Sequence, residues 1–371
     1  MSDTPPPPDQ IEGAPHPRET QKLIGQGAAE ATFLRAFATG RLHHGWLLTG
    51  PRGVGKATLA WSIARFLLAT PDPDDGGLFG APAPPETLAI APDHPVAIRL
   101  LAGSDPGLFH ITRTVNDKTG RLRDMIVAGD VRELNRFLQL SSTEGGRRVV
   151  ILDCADEMNV QAANALLKVL EEPPARTTMV LIAHQPARLL PTIRSRCREL
   201  RLQPLSPQDM ARALAQAGIE VDHAEALGAL SAGSVGEAIR LTSLGGLATY
   251  AELIAILAGL PRLDRPRALK LAEAAAVRGA EAKLDLLITL IDLALSRLAR
   301  TGATGAPPVP EAAPNEAAAL MRLAPTPAAG RVWATLAQEI GARMNHGRAV
   351  NLDPTALVLD TVFRLQQTAA A

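Results

Sequence analysis

The sequence predicts an α/β domain with a parallel sheet, followed by two all-helical domains. Short apolar runs such as residues 149–152 alternate with helical patterns over the first 205 residues, which is typical of a buried parallel sheet covered by helices. After Pro204 the strand signals stop, and helical periodicity continues to the end of the chain. A glycine-rich segment and an acidic segment each follow a predicted strand, where open α/β sheets bind ligands.

The composition narrows the class of protein. The 371 residues provide for two or three domains, and with 46% hydrophobic but only 3% aromatic residues the core is expected to be Ala, Leu, Val and Ile. Basic and acidic residues balance at 38 each, so the net charge does not favour autonomous nucleic-acid binding. Cys154 and Cys197 lack the spacing of a zinc site, and a reduced, cytoplasmic compartment is the simpler interpretation.

Neither the proline-rich N-terminal segment nor the most apolar helical pattern has the features of a membrane-targeting segment. Residues 1–16 are rich in proline without an apolar core, which predicts a disordered tail rather than a signal peptide. The most apolar helical pattern, residues 284–298, contains Asp285 and Asp292 and is shorter than the roughly 20 residues that a membrane span needs. We therefore predict no membrane partner.

The elements of the α/β domain follow from periodicity and breakers. Apolar residues at helical spacing predict a helix within 19–40 that ends at Gly40, and the pattern at 160–170 predicts another that Pro173 and Pro174 stop. Residues 70–107 are rich in Pro, Gly and Asp and predict an irregular insertion. Predicted strands are 45–49, 108–112, 149–152, 178–183 and 199–202.

Three domains follow from this pattern. The α/β domain is predicted at 17–205, a small helical lid at 206–245, and a helical domain at 246–371. The Pro- and Ala-rich stretch 302–314 is interpreted as a linker inside the last domain.

The first chemical motif is a phosphate-binding loop between a strand and a helix. Gly50, Gly53 and Gly55 allow backbone N–H groups to turn toward phosphates, and Lys56 would reach the β- and γ-phosphates. The next residue is Ala57, where such loops have a Ser or Thr whose hydroxyl binds Mg²⁺. Metal support is therefore weakened, although the loop could still hold ATP or ADP weakly without turnover.

The second motif is the acidic end of the strand 149–152. Asp153 could hold Mg²⁺, directly or through water. The following Cys154 is a poor general base at neutral pH, and we interpret it as a small buried residue. Asp156 is expected to cap the next helix.

These residues carry a resemblance to a known family. The phosphate loop and the strand ending in Asp153 are followed by two specific segments, Asn-Ala-Leu-Leu-Lys-Val-Leu-Glu-Glu-Pro-Pro at 164–174 and Ser-Arg-Cys at 195–197. The opening at 16–20 and the run at 40–51 also fit. The chain resembles the delta-prime subunits of bacterial DNA polymerase III, in their alphaproteobacterial form, within the clamp-loader branch of the AAA+ proteins.

The resemblance implies a fold, partners and a role. It implies an AAA+ α/β domain with a parallel sheet, a helical lid, and a helical collar that assembles with tau/gamma and delta subunits into a hetero-pentamer. That ring opens the sliding clamp and loads it on primed DNA. The resemblance further implies that Arg196, in the Ser-Arg-Cys segment, acts in trans as an arginine finger on a neighbour's site.

The departures from the family pattern are equally informative. The chain has no cysteine between Lys56 and Asp153, so the four-cysteine zinc module of many members is absent or replaced, and no zinc is expected. Gly236 stands where AAA+ motors have a lid Arg that senses the γ-phosphate. With Ala57 and Cys154, this loss favours a largely non-hydrolysing subunit that requires no cofactor.

Two hypotheses remain open. The favoured one is a structural subunit that offers Arg196 to a neighbour, and the alternative is a tau/gamma-like subunit that hydrolyses ATP itself, as Lys56 would permit. For Arg196 the simpler interpretation is a surface Arg paired with a nearby acid such as Glu199. Arg240, one turn after Gly236, is interpreted as part of a solvated face.

Overall fold

The computed structural model describes residues 9–11, 13–71, 84–116, 119–120, 122–139, 146–219, 223–277 and 281–371. The chain divides into two compact units. The first comprises Met1–Gly218 with Ser234–Gly236, and the second comprises Ile219–Gly233 with Glu237–Ala371.

The first unit is built on a parallel sheet of five strands in the order β2-β3-β4-β1-β5. The strands are β1 (Gly45–Thr49), β2 (Leu108–Ile111), β3 (Arg148–Leu152), β4 (Thr177–Ile182) and β5 (Arg198–Arg201). Every residue of β1 and β4 is buried, as expected for central strands covered on both faces. Because all strands run the same way, the loops after β1, β3 and β4 meet at one edge of the sheet.

The described residues of this unit form the helices α1 (Gly27–Ala38), α2 (Lys56–Ala69), α3 (Pro95–Leu101), α4 (Ala128–Gln139), α5 (Val160–Glu171), α6 (Pro191–Ser195) and α7 (Pro207–Gln216). Side-chain caps fix several of their starts: Asn159 accepts from the Ala162 N–H before α5, and Ser206 accepts from the Asp209 N–H before α7. The helix α2 is buried along most of its length and begins directly after the glycine loop.

The second unit is all-helical over its described residues. Its helices are α8 (Ala224–Ser231), α9 (Val235–Ser243, whose first two residues belong to the first unit), α10 (Gly246–Gly259), α11 (Arg265–Ala275), α12 (Glu281–Thr304), α13 (Glu316–Leu323), α14 (Pro327–Ala349) and α15 (Pro354–Ala370). The apolar stripe of α12 is buried, which confirms the burial predicted for 284–298. The helices α12 and α14 pack backbone to backbone, since a Cβ on Gly302 would lie 2.6 Å from Cα of Gly330.

The predicted fold class is confirmed: a parallel α/β sheet comes first, and the described residues after it form helices and their connections. The division into domains at 17–205, 206–245 and 246–371 stays a prediction, and the compact units instead place α7 with the sheet.

Two local predictions, the irregular insertion and the linker, need correction. The irregular insertion at 70–107 contains the helix α3, which buries Val96, Ala97 and Leu100; residues 72–83 lie outside the described part. The linker predicted from residue 302 begins only at 305, because Gly302 lies inside α12. Composition misled in both places, since proline at the first turn of α3 and glycine at a helix crossing are compatible with helix.

The predicted tail at 1–16 is also shorter than expected. Residues 1–8 and 12 lie outside the described part, but Asp9 pairs with His16 at 3.0 Å and His16 is buried. The packed part of the chain therefore begins by Asp9 rather than at residue 17.

Among the described residues, no single helix is long and apolar enough to cross a membrane. Only the pair Val235–Ser243 and Gly246–Gly259 meets that test when joined, and the two helices are bent by 80°.

Candidate functional site

The phosphate loop keeps the backbone conformation that its glycines allow. Gly50, Gly53 and Gly55 have φ of 133°, 72° and 98°, a region that side chains other than glycine rarely adopt. Gly55 precedes the first turn of α2, and a Cβ on Gly50 would lie 2.5 Å from the Leu202 carbonyl oxygen. The three glycines thus have the backbone conformations that the predicted loop requires, and phosphate binding by the loop stays a prediction.

Lys56 turns back on this loop. Its side chain is 3% exposed, and Nζ donates hydrogen bonds to the carbonyls of Gly50 at 2.7 Å and Pro51 at 2.5 Å. Burial lowers the pKa of Lys56 to about 8, although the carboxylates of Asp153 and Asp156 oppose the shift. The ammonium group is thus satisfied by the loop's own carbonyls.

Asp153 lies beside Lys56 at the end of β3. Its Oδ1 accepts from the Cys154 N–H at 2.8 Å. Burial raises the pKa of Asp153 to about 6, and the charge of Asp9 adds to the shift, while the Cys154 hydrogen bonds and Lys56 counteract it.

Cys154 has the left-handed φ of 55°, and its Sγ lies 3.7 Å from Asp153 Oδ1. Burial and the Asp153 carboxylate raise the pKa of the Cys154 thiol far above its ordinary value. The thiol is therefore neutral near pH 7 and cannot take a proton from water as a general base.

Asp156 does not cap a helix, contrary to the prediction. Its two carboxylate oxygens accept from the backbone N–H groups of His184 at 3.1 Å and Gln185 at 2.8 Å, while Asn159 caps α5. Asp156 therefore fixes the segment after β4 to the segment after β3.

His184 is a site residue that the sequence analysis missed. Its Nε2 lies 4.0 Å from Cys154 Sγ, and burial together with the charges of Lys56 and Arg52 lowers the pKa of His184 to about 4. The only signal in the sequence was a polar residue directly after a buried strand.

Gly236 lies directly against the phosphate loop. Its N–H donates to the Gly53 carbonyl at 3.1 Å, and a Cβ on Gly236 would be 3.0 Å from Cα of Gly53 and would collide with Ile11. A side chain on Gly53 would collide with Ser234. The positive φ of Gly53 and the nearby backbone of Gly236 disfavour a side chain on Gly53, and a side chain on Gly236 would have to displace Ile11.

An N-terminal cluster near this loop was also missed. Asp9 Oδ2 lies 3.0 Å from His16 Nε2 and 3.6 Å from His110 Nε2. Burial, the largest effect, lowers the pKa of His110 to about 4, against the opposing charge of Asp9. The segment before α1 is thus anchored beside the acidic end of β3.

The residues of the loop do not fit a hydrolysing Mg²⁺–nucleotide site. Ala57 offers no oxygen to a metal, Cys154 offers no base, and Gly236 offers no cation. What remains is a set of glycine conformations suited to phosphate. Across the described residues, no group of three or more His, Cys, Asp or Glu is placed to hold a metal ion.

Arg240 lies in the second unit and is paired. Its guanidinium donates to both carboxylate oxygens of Glu237, at 3.0 and 2.8 Å, and to Thr289 Oγ1 at 3.3 Å. The prediction of a merely solvated side chain is therefore wrong.

Arg196 is separated from the phosphate loop by the length of the sheet. It caps α6 and precedes β5, whose Arg198 is in register with Trp46 and whose Arg201 is in register with Thr49. The loop follows Thr49 at the carboxyl ends of the strands, whereas Arg196 lies before their amino ends. The two are therefore about 15 Å apart along the strand direction, at 3.3 Å per strand residue.

Glu199 is not the partner of Arg196. Thr49 Oγ1 donates to Glu199 at 2.6 Å, whereas Arg196 Nη2 contacts Glu171 Oε1 at 2.8 Å. The expectation of an ion pair is confirmed, but the acid that we named was wrong.

The chain is similar to known proteins. Residues 25–206 match the model of the family DNA polymerase III, delta subunit. The chain is 39% identical over 216 residues to the DNA polymerase III subunit delta' of Pseudomonas aeruginosa, covering 57% of this chain and 59% of that protein. It is 31% identical over 215 residues to subunit gamma/tau of Mycobacterium bovis, covering 56% and 33%.

These matches span less than two thirds of the relatives' own lengths. Among solved structures, a gamma subunit-related protein of Thermotoga maritima aligns at a TM-score of 0.36 and 16% identity, covering 91% of this chain and 99% of that chain. The alphaproteobacterial form stays a prediction.

The residues that the family model matches contain the phosphate loop, the acidic strand end, the 164–174 segment and Arg196. Over residues 25–206, this chain is thus similar to the DNA polymerase III, delta subunit family, and its delta' relatives are 31–39% identical to it over about 200 residues.

Proposed function

We propose that this chain is a largely non-hydrolysing delta-prime subunit of a clamp loader. Its partners would be tau/gamma and delta subunits in a hetero-pentamer, which loads a sliding clamp onto primed DNA. The observation that supports this most is that Gly236, with its N–H bonded to the Gly53 carbonyl, lies against the phosphate loop at the position where the family's motors have a γ-phosphate-sensing Arg. Such a subunit would need no nucleotide of its own, although weak ATP or ADP binding and the absence of zinc stay predictions.

The second part of the proposal gives Arg196 the role of an arginine finger. It lies too far from the chain's own loop, and its side chain is 36% exposed. A planar, permanently charged guanidinium suits the charge that develops on a transferring phosphoryl group. At the edge of the sheet opposite the loop, it could reach a neighbour's nucleotide.

The alternative is a tau/gamma-like subunit that hydrolyses ATP. The preserved φ angles of Gly50, Gly53 and Gly55, together with Lys56, favour this alternative. The neutral Cys154 thiol and the missing hydroxyl at Ala57 favour the structural role.

The test is Arg196→Ala in the ring assembled with the other loader subunits of the same organism. We expect normal assembly but lower DNA- and clamp-stimulated ATPase and slower clamp loading, because fingers supply roughly 10³- to 10⁵-fold in rate at the site they serve. Arg194→Ala is the matched control, since it removes the same charge from an exposed position on α6. Unchanged loading by correctly assembled Arg196→Ala rings would contradict the proposal.

A further inference from the structure

Arg196 is held by two contacts that belong to different helices. Nη2 lies 2.8 Å from Oε1 of Glu171, the last residue of α5, and Nη1 donates to the Thr192 carbonyl of α6 at 3.0 Å. A guanidinium carries five N–H groups. These contacts use one N–H on each terminal nitrogen, so both terminal nitrogens retain a second N–H for a phosphate oxygen.

The C-terminal ends of α5 and α6 pack closely against Gly45, the first residue of β1. A Cβ on Gly45 would lie 3.0 Å from the Arg196 carbonyl oxygen, 3.2 Å from Leu170 Cδ2 and 3.3 Å from Cys197 Sγ. His44 Nε2 also bonds the Leu170 carbonyl at 3.0 Å, which satisfies one of the orphan carbonyls at the end of α5. The backbones that carry Glu171 and Arg196 are therefore fixed relative to each other.

We propose that Glu171 is the positioning residue for Arg196, holding the guanidinium in one orientation before a neighbour's nucleotide arrives. The inference rests on the proposed function of Arg196. Arg has high rotamer entropy, and an arginine that is already oriented loses less of it when it meets the phosphate. The adjacent Glu172 is also exposed but caps α5 by its backbone, so the two acids make distinct contacts.

The experiment is a double-mutant cycle in the assembled ring. The ATPase subunits carry Ala at their own Ser-Arg-Cys arginines, so that Arg196 supplies the finger at the site under measurement. Stimulated ATP turnover is then measured for Glu171→Ala, for Arg196→Ala, and for the two together. The control is Glu172→Ala, which removes the same charge one residue away, and the Tm of each isolated variant checks its fold.

We expect Glu171→Ala to lower kcat about two- to fivefold with little change in KM, the range that an exposed ion pair can supply. Glu172→Ala should leave kcat unchanged. The double variant should be no slower than Arg196→Ala alone, because Glu171 acts only through that arginine.

The outcomes separate the two proposals. If Arg196→Ala has no effect, the arginine finger itself is wrong. If Arg196→Ala lowers kcat but Glu171→Ala does not, or if the two losses multiply in the double variant, the positioning role of Glu171 is overturned while the finger stands. A loss shared equally by Glu171→Ala and Glu172→Ala would assign the effect to surface charge and also overturn the positioning role.

Discussion

Lys56 and Asp153 are neighbouring buried groups whose charged forms are both disfavoured. The pKa of Lys56 falls from 10.5 to about 8, and the pKa of Asp153 rises from 3.8 to about 6, with burial as the main cause in each case. In both cases the unfolded chain gains a charge more easily than the folded one. Folding stability must therefore depend on pH in two separate windows.

In the acid window, the folded state binds more protons than the unfolded state between pH 3.8 and about 6, because the pKa of Asp153 is raised on folding. The free energy of unfolding should therefore fall as pH rises through this range, by an amount of the order of 1–3 kcal/mol. We expect Asp153→Asn to flatten that fall, measured by urea unfolding at pH 4, 5, 6 and 7. The exposed Asp93→Asn is the control, and equal slopes in both variants would contradict the assignment.

In the alkaline window, the sign is reversed. The unfolded state binds more protons between about pH 8 and 10.5, because the pKa of Lys56 is lowered on folding, so stability should rise with pH there. Lys56→Met should remove that rise in urea unfolding between pH 8 and 10, whereas Met at the exposed Lys168 should not. A rise that persists in Lys56→Met would show that another group causes it.

The groups around the phosphate loop also determine whether the isolated chain can hydrolyse ATP. We expect negligible ATPase activity, because Ala57 supplies no metal ligand and the raised pKa of Cys154 leaves no base for water. A coupled ATPase assay checks this, with Lys56→Ala to identify contaminating activity. Turnover of the order of one per second that Lys56→Ala abolishes would establish the ATPase alternative.

Sequence patterns located part of the site at residue scale. Gly50, Gly53, Gly55 and Lys56 follow a fixed local spacing, so they could be predicted. Glu171, His184 and Asp9 could not be assigned, because their roles depend on which distant segments the fold brings together: Glu171 meets Arg196, and His184 meets Cys154.

At the scale of elements, a buried ion pair fixes the connection between α12 and α13. Arg297 Nε donates to Glu316 Oε1 at 2.7 Å, Tyr250 Oη donates to the same oxygen at 2.6 Å, and the Ala312 N–H donates to Oε2 at 2.6 Å. Glu316 is fully buried. One carboxylate thus ties α10, α12 and the loop before α13 together.

Removing this carboxylate should destabilise the second unit strongly. We expect Glu316→Ala to lower the free energy of unfolding by about 3–5 kcal/mol, since it leaves Arg297 buried and unpaired. Glu252→Ala breaks the exposed pair with Arg267 and should change it by less than about 1 kcal/mol. Chemical denaturation of both variants provides the comparison, and similar small losses would show that water replaces the missing partner.

Helices and strands could be predicted where the hydrophobic periodicity covered enough residues and where proline or glycine marked the ends. The strands and the helix stopped by Pro173 were placed within one or two residues, but α1 starts at Gly27 rather than near 19. The helix α3 was missed because seven residues inside a proline-rich segment give too few turns for a periodic signal.

At the scale of the molecule, assembly is predicted to depend on residues from about 246 to the C-terminus. A chain that ends at 245 retains all of the first compact unit, including Ser234–Gly236. We expect this fragment to be soluble and to keep β-sheet circular dichroism, yet to fail to co-purify with tau/gamma and delta subunits. Normal assembly by the truncated chain would refute the collar assignment.

The contact of Gly236 with Gly53 ties the phosphate loop to the start of α9, and it would set a condition on a nucleotide whose binding required this turn to move. A ligand that binds only after the turn has moved has its apparent affinity reduced by the fraction of molecules in which the turn is open. If opening costs about 3 kcal/mol, that fraction is below about one in a hundred. In the ring that we propose, this subunit would keep one shape at nucleotide concentrations that drive its neighbours between states, and would serve as the stationary member against which they move.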